Sequence, residues 1–244
     1  MLTGTADPEA LATAAPRMTT LAAAPVRLGG VEVLQAAFEL PYACREPLLP
    51  PGLHPTTPPL LVLLAWQVAE SPWGAFALAQ ARVSCRSGVR PRGLVTRCVA
   101  DNPDAVTALA GDWGLPAGLG AVALRRGYDR VELHVARDGA PVLDLVASAP
   151  DPLRPGDAQF TVTTTLARTP KGLRLVQLEP EYELDRVERV RPRLDAFHGE
   201  AWGLHGVVPR APVAAVVGVG GIVIPSVRFV SRPDVNAFEG TEPA

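Results

Sequence analysis

Residues 99–120 read VADNPDAVTALAGDWGLPAGLG, and this stretch decides how we interpret the rest of the chain. It predicts the end of a strand, a capped helix and then a tight loop. Asp101 or Asn102 can accept hydrogen bonds from the first free backbone N–H groups of the helix. Pro103 suits the first helical turn, where its missing N–H costs nothing. Apolar residues at helical spacing follow it.

The end of this helix is marked by small residues and a proline. Gly111 and Gly114 are both predicted to end the helix, and Pro116 prevents it from resuming. The loop after the helix then carries Ala117 and Gly118. These two positions become important once the chemistry of the segment is considered.

The whole chain has 244 residues, of which 48% are hydrophobic, and a formal net charge of −2. A chain of this length and composition can bury a sizeable core. The lack of a basic excess argues against a nucleic-acid-binding protein. Lys171 is the single lysine among its 23 lysine and arginine residues.

The three cysteines are Cys44, Cys85 and Cys98, and they form no Cys-x-x-Cys pair. An odd number without such spacing predicts a reducing compartment, and neither a disulfide framework nor a zinc site. We expect all three to be buried as small apolar side chains.

The two ends of the chain look like flexible tails, at residues 1–24 and 233–244. The first of these lacks the basic start and the unbroken apolar run of a signal peptide. The longest apolar run, between Pro212 and Pro225, is too short to span a bilayer. We therefore expect a soluble cytoplasmic protein with no membrane partner.

Short apolar or alternating runs recur between the two tails and predict about ten strands beside the one helix. Asp138-Gly139 and the segment 169–172 are typical of hairpin turns, whereas residues 180–212 look polar and irregular. Helices do not alternate with strands as a parallel sheet requires, and no repeat or linker divides the chain. The fold class predicted is mainly β (α+β) and single-domain: a largely antiparallel sheet that curls or closes, with one or two packed helices.

Motifs for metals, cofactors and nucleophiles are weak. His198, Glu200 and His205 match no helical zinc spacing. The glycine-rich segment 217–222 lacks the third glycine and the helix start of a dinucleotide loop, so it predicts a bulge or tight turn. No Gly-x-Ser-x-Gly segment occurs. Tyr182 lies among acidic residues and is predicted to sit on an exposed segment. We expect neither a metal nor a cofactor.

Four segments of the chain, taken together, form a pattern that can be compared with known families. The first is Pro41-Tyr42 with Leu48-Leu49-Pro50-Pro51-Gly52-Leu53, and the second is Gly74-Ala75-Phe76. The third is Asp101-Asn102 with Ala105, Gly111, Gly114-Leu115-Pro116 and Leu119, and the fourth is Pro212-Val213 with Ile224-Pro225. In their order and spacing they resemble the acetoacetate decarboxylase family. The resemblance covers residues 30–230. It assigns residues 25–232 to a single acetoacetate decarboxylase-like domain.

The resemblance implies a cone-shaped, largely antiparallel β-barrel with a central pocket, assembled into homo-oligomers. In the family, a lysine in a desolvating apolar pocket forms a Schiff base with a β-keto acid. The positions of the family's two adjacent lysines are Ala117 and Gly118 here. The positions of two carboxylate residues in the family's pocket correspond to Leu78 and to a residue near Leu63 in this sequence. Alanine has no amine, so Schiff-base decarboxylation at this position is excluded.

Two hypotheses of different classes follow. In the first, the protein is a cofactor-independent lyase, isomerase or cyclase of small-molecule biosynthesis. Gln80 and Arg82 then act as catalytic acid–base groups, because they follow Leu78 on the same strand face. In the second, it is a non-catalytic binding protein for an apolar or keto-containing small molecule. A structural subunit that joins an active homologue is a third option.

The enzyme and binding-protein hypotheses both place a small-molecule ligand in the pocket. We assign the pocket walls to Leu63, Phe76, Leu78, Cys98, Leu115, Ala117 and Gly118. Weaker candidates for acid–base work are Arg97, Tyr128 and His134.

Overall fold

The computed structural model describes residues 2–244 and consists of one large sheet with short helices on it. The helices are α1 (Pro8–Leu11), α2 (Pro103–Trp113) and α3 (Ala237–Gly240). The strands are β1 (Val26–Glu39), β2 (His54–Pro55), β3 (Leu60–Glu70), β4 (Phe76–Ser87), β5 (Arg90–Ala100), β6 (Ala117–Leu119), β7 (Ala121–Arg126), β8 (Arg130–Arg137), β9 (Ala140–Leu153), β10 (Thr163–Thr169), β11 (Gly172–Leu178), β12 (Glu181–Phe197), β13 (Pro212–Ile224), β14 (Phe229–Ser231) and β15 (Thr241–Pro243).

The sheet confirms the mainly β fold class, but it is not closed. Its order is β15-β14-β11-β10-β5-β4-β3-β1-β13-β12-β9-β8-β7, with β2 beside β4 and β6 beside β5. All pairs are antiparallel except β5 with β10 and β5 with β6. β7, which stands at one end of this order, pairs with β8 and packs against β3, β4 and β5. Strong twist and β-bulges curl the sheet over itself without joining its two end strands.

The curled sheet has an apolar layer on each face, because successive side chains of a strand point to opposite faces. One layer contains Leu61, Leu63 and Ala65 of β3 and faces β7, β8 and β9. The other contains Leu64 and Trp66 of β3 and lies under α2, β10 and β11. The second layer holds the candidate site.

The segment 99–120 forms the strand, helix and loop that its sequence predicts. Asn102 caps α2, and its side chain accepts hydrogen bonds from the backbone N–H groups of Asp104 and Ala105 at 2.9 and 3.1 Å. Gly114 ends the helix in the left-handed region, at φ +66°. Gly111, also predicted as a helix end, lies inside the helix instead, since one residue with positive φ is enough to end it.

The region 180–212 differs from its prediction. Instead of an irregular segment, it begins with β12, the longest strand in the described chain. The strand pairs with β9 and β13, so its charged residues alternate with inward-facing ones. The glycine-rich segment lies within β13, opposite a bulge between Leu184 and Arg186, as predicted. A Cβ at Gly220 would lie 2.3 Å from the carbonyl oxygen of Glu183, so only glycine fits there.

Both predicted tails are packed on the domain in the structure. In residues 2–24, backbone hydrogen bonds join Gly4 to Leu53 and Met18 to Arg168, and Met18 is buried. At the other end, α3 and β15 fall within residues 233–244, and β15 pairs with β14. Backbone pairing of this kind has no signature in local composition, which is why both segments look like tails in the sequence. No helix of residues 2–244 has the length and hydropathy of a membrane span.

Candidate functional site

The residues predicted on one face of β4 do share that face. Phe76 and Leu78 lie in the layer under α2, and alternation places Gln80 and Arg82 beside them. All four are buried, Arg82 at 0% exposure. A polar pair on this face is therefore enclosed among apolar side chains, and Arg82 does not lie at the surface.

A row of register partners crosses the sheet at Gln80. Reading from β1 to β6, the partners are Gln35, Leu64, Gln80, Cys98 and Ala117. Directly paired residues project from the same face of a sheet. Ala117 is two strands from Gln80, a separation of about 10 Å. Ala117, at which the sequence resemblance places the family lysine, thus lies on the same face as the buried polar pair.

Arg82 is held by neutral partners. Its Nε and Nη2 atoms donate to the side-chain oxygen of Gln80 at 2.9 and 2.7 Å, and Nη1 donates to the carbonyl oxygen of Thr161 at 2.7 Å. Within residues 2–244, no carboxylate forms an ion pair with it. A buried charge without a counter-charge costs several kcal/mol. Burial accordingly lowers the pKa of Arg82.

Tyr182 and Trp66 complete the polar cluster, and the sequence did not point to either. The Tyr182 hydroxyl and the Trp66 indole N–H are both buried and have no hydrogen-bond partner in the described chain. The hydroxyl lies near the Arg82 guanidinium, and the two rings meet edge to face with centroids 6.4 Å apart. Two unpartnered polar groups beside a buried cation are unusual in a folded interior.

The earlier expectation of an exposed segment around Tyr182 holds for its acidic neighbours only. Glu181, Glu183 and Asp185 are exposed, while Tyr182 and Leu184 pack inward. The period-two alternation in this segment was the available signal for a strand with an inward tyrosine. The acidic composition concealed it.

A loop between β9 and β10, residues 154–162, covers the cluster. Gln35 holds this loop with two hydrogen bonds, from its Nε2 to the carbonyl of Gln159 at 3.0 Å and from the Thr161 N–H to its Oε1 at 2.8 Å. Phe160 stacks on the Tyr182 ring with centroids 4.1 Å apart. The loop is therefore attached to the cluster at three residues.

A cavity of about 140 Å³ lies beside this loop, with walls that include Phe160, Thr161, Tyr182 and Leu184. Since a water molecule takes about 30 Å³ of the liquid, the cavity has room for a small organic acid. Arg82 lies behind Thr161 and Tyr182 and is not part of the wall. The guanidinium is fully buried and donates to the carbonyl of Thr161, a residue that does line the cavity.

The ionisable groups around Arg82 stay protonated at neutral pH. Burial raises the pKa of Tyr182, although the nearby Arg82 charge opposes the shift. Burial also raises the pKa of the Cys98 thiol to about 12, again against the effect of Arg82. The cluster thus offers a guanidinium cation and a neutral phenol that can donate a proton.

The remaining predicted pocket residues divide between the two faces. Cys98 and Leu115 lie in the layer that holds Arg82, and Ala117 packs against its edge. Leu63 belongs to the opposite layer, because one residue of register moves a side chain to the other face. Gly118 pairs with Val99, also of the opposite layer, and a Cβ there would meet open space.

The single lysine is remote from this cluster. Lys171 lies in the predicted hairpin turn between β10 and β11, exposed, with its Nζ donating to the carbonyl of Pro243 at 2.7 Å. Cys85 is buried like Cys98, whereas Cys44 is only partly buried. The lysine amine therefore does not enter the site.

The weaker candidates lie elsewhere as well. Tyr128 is fully exposed in a turn. His134 is half exposed and hydrogen-bonded to Asp144 at 2.7 Å. Arg97 is partly buried, and burial lowers its pKa, as does the positive charge of Arg137 to a smaller extent. Within residues 2–244, no three His, Cys, Asp or Glu side chains come together as a metal site requires.

No protein-family model matches the sequence, and no curated protein matches it significantly. Solved structures do match the fold. Acetoacetate decarboxylase from Legionella pneumophila matches at a TM-score of 0.72 and 15% identity, over 87% of this chain and 90% of that one. A second acetoacetate decarboxylase structure matches at 0.75 and 14%, over 88% and 90%.

The enduracididine biosynthesis enzyme MppR, in its complex with pyruvate, matches at a TM-score of 0.68 and 16% identity, over 84% of this chain and 90% of that one. The same enzyme is also known with the condensation product of pyruvate and imidazole 4-carboxaldehyde. At such low identity the matches establish architecture and not activity. The chain therefore has the acetoacetate decarboxylase-like fold.

Proposed function

We propose that the protein binds a small oxo acid next to Arg82 and acts on it as a cofactor-independent enzyme of lyase or isomerase type, without a Schiff base. The observation that carries the proposal is the fully buried Arg82 guanidinium with neutral partners only. A carboxylate or a developing oxyanion would supply the missing counter-charge. The pyruvate complex of MppR supports this ligand class by structural analogy.

The chemistry proposed uses two groups of this chain. A base from solvent, such as hydroxide, removes the proton from the carbon beside the carbonyl group. Arg82 stabilises the negative charge that develops on the carbonyl oxygen of the resulting enolate, since a preorganised buried cation is effective at this task. Tyr182, kept neutral by its raised pKa, donates a proton to the enolate. Gln80 is a positioning residue, because its side-chain oxygen accepts from two nitrogens of the guanidinium.

A Schiff base is not part of the proposal. Ala117 stands in the row that faces the cluster and has no amine. Lys171 is exposed and bonded to the far end of the chain. The reaction is therefore restricted to acid assistance and electrostatic stabilisation of an oxygen.

Proton exchange at C3 of pyruvate in D₂O, followed by ¹H NMR, tests the enolate chemistry without knowledge of the natural substrate. Calorimetry measures pyruvate binding in parallel. We expect Tyr182→Phe to slow exchange at least tenfold while affinity changes less than twofold. We expect Arg82→Met to abolish both. Tyr128→Phe and Arg86→Met, at exposed positions, are the matched controls.

The second candidate function is a non-catalytic binding protein, and one observation favours it. Arg82 is not among the residues that line the cavity, so a ligand can occupy the cavity without reaching the cation. Binding of pyruvate with no acceleration of exchange would support this function and exclude the first. Absence of binding, with no shift in Tm at millimolar pyruvate, would reject both.

Three expectations from the sequence stay predictions. They are the homo-oligomeric state, the cytoplasmic location and independence from a cofactor. Light scattering of the purified protein measures the first directly.

A further inference from the structure

The indole N–H of Trp66 has no part in the function proposed above, although it lies in the same cluster. Trp66 of β3 is only 1% exposed, and its N–H has no hydrogen-bond partner in the described chain. Trp113 is buried in the same apolar layer, but its N–H donates to the carbonyl oxygen of Pro225 at 2.9 Å. Folded interiors rarely leave such a donor unsatisfied, because each one costs folding free energy. The free N–H of Trp66 therefore needs an explanation.

The group beside this N–H is the Tyr182 hydroxyl. The two rings meet edge to face, with centroids 6.4 Å apart and an interplanar angle of 73°. The indole N–H and the Arg82 guanidinium both approach the phenol oxygen. Phe160 stacks on the tyrosine ring at a centroid distance of 4.1 Å. Two aromatic contacts thus fix the ring at the point where the two donors meet.

These three polar groups contain a single acceptor. An indole N–H and a guanidinium only donate hydrogen bonds, whereas a phenol oxygen accepts them and donates its own proton. Trp66 and Arg82 therefore offer no acceptor to the proton of Tyr182. The oxygens of Gln80 and Thr161 beside Arg82 already accept from its guanidinium. The phenol proton is thus left without an acceptor in the described chain.

We propose that Trp66 is a positioning residue for Tyr182: its N–H donates to the phenol oxygen and so directs the phenol proton to an acceptor on the bound ligand. This inference rests on the proposed function for the destination of the proton. When the enolate carbon takes it, the O–H bond breaks, the enolate electron pair forms the new C–H bond, and the phenol oxygen keeps the negative charge. The indole N–H and the guanidinium stabilise this phenolate. Water then reprotonates it, and the hydroxide released replaces the base consumed.

Ionisation of the phenol tests the contact without any ligand. The chain has three tyrosines, so Tyr42→Phe combined with Tyr128→Phe leaves position 182 alone to carry 3-fluorotyrosine. This analogue ionises at lower pH than tyrosine, and ¹⁹F NMR follows its titration. We expect Trp66→Phe, which keeps an aromatic ring and loses the N–H, to move the titration to higher pH. Trp113→Phe is the matched control and should not move it.

The charges near the hydroxyl are the same in both variants. Arg82 of β4 lies next to the hydroxyl, and Cys98 of β5 lies next to Arg82. Neither is altered, so a shift confined to Trp66→Phe reports the lost N–H.

The indole signals of protein labelled with ¹⁵N-tryptophan give a second readout that needs no Trp66 variant. The Trp66 indole proton should move downfield as position 182 ionises, because a phenolate is a stronger acceptor than a phenol. The indole protons of Trp113 and Trp202, which donate to backbone carbonyls, should not respond. The inference is overturned if the Trp66 signal is equally silent, or if a folded Trp66→Phe titrates like the wild type.

Proton exchange of pyruvate connects the contact to the proposed function. Trp66→Phe should lower the rate at saturating pyruvate at least threefold and change KM less than twofold, and Trp113→Phe should change neither. An unchanged rate would overturn the inference while the proposed function stands, and a higher KM would then show that Trp66 binds the ligand instead. If the wild-type protein neither binds nor exchanges pyruvate, the proposed function fails, and the titration still decides whether Trp66 positions the phenol.

Discussion

The guanidinium of Arg82 and the backbone of Thr161 are joined by a hydrogen bond of 2.7 Å between residues 79 positions apart in the chain. This bond attaches the loop 154–162 to the interior of the curled sheet. Gln35 of β1 attaches the same loop from a second strand. We therefore expect movement of this loop and access to the buried cation to be coupled.

Gln35→Ala tests this coupling. The variant removes the acceptor of the Thr161 N–H, so amide hydrogen exchange at Thr161 should become faster. The loss of two hydrogen bonds should lower the free energy of unfolding by about 1–2 kcal/mol. Gln67→Ala is the control, because Gln67 of β3 lies on the opposite face from Trp66. If the Thr161 amide exchanged at the same rate in both variants, the attachment of the loop by Gln35 would be contradicted.

Ala117→Lys should introduce an amine that can form a Schiff base. The new side chain would start beside Cys98, on the face that holds Arg82, where burial and the arginine charge lower an amine pKa. We expect borohydride to trap a covalent adduct with pyruvate or acetoacetate, detected by mass spectrometry. The wild-type protein, with Lys171 only, should show none.

Gly118→Lys is the matched control for that experiment. It places the same amine one residue later, where the strand turns its side chain to the other face. Its trapping should stay at the wild-type level. Equal trapping at positions 117 and 118 would show that the amine is merely accessible and that the row through Gln80 does not define a site.

Gly114→Ala and Gly111→Ala should change stability in opposite directions. At Gly114 the backbone has φ +66°, and a Cβ would lie 2.8 Å from Sδ of Met18. Strain and crowding should lower the free energy of unfolding by about 2–4 kcal/mol. At Gly111, inside α2, a Cβ meets nothing within 4 Å, so alanine should stabilise by about 0.5–1 kcal/mol. Urea unfolding measures both.

Stability should fall in strong base because of the buried thiols. Burial raises the pKa of Cys98 and of Cys85 to about 12, from an ordinary value of 9.0. A raised folded-state pKa favours folding fully below the unfolded value, and this contribution is lost as pH rises toward 12. Tyr182 shifts in the same direction. Cys98→Ala should reduce the loss of Tm between pH 8 and 10.5; an unchanged loss would contradict the assignment.

The sequence by itself determined the local elements and the faces of the strands. The capped helix, the Asp138-Gly139 hairpin and the shared face of Gln80 and Arg82 follow from residue type and period, which act over a few neighbouring positions. The same patterns indicated the mainly β fold class. They could not predict the register that moves Leu63 to the opposite layer, or the pairing of both chain ends.

Only the tertiary structure decided which groups meet. Gln35, Arg82, Thr161 and Tyr182 come from four separate segments, and no local pattern encodes their proximity. The alternation of side chains along a strand predicts that a given side chain points inward, but it does not predict which groups that side chain contacts. That depends on sheet order and curl, which arise from long-range strand pairing and the burial of two apolar layers. The buried cation with neutral partners is therefore a property of the fold, although each of its residues is visible in the sequence.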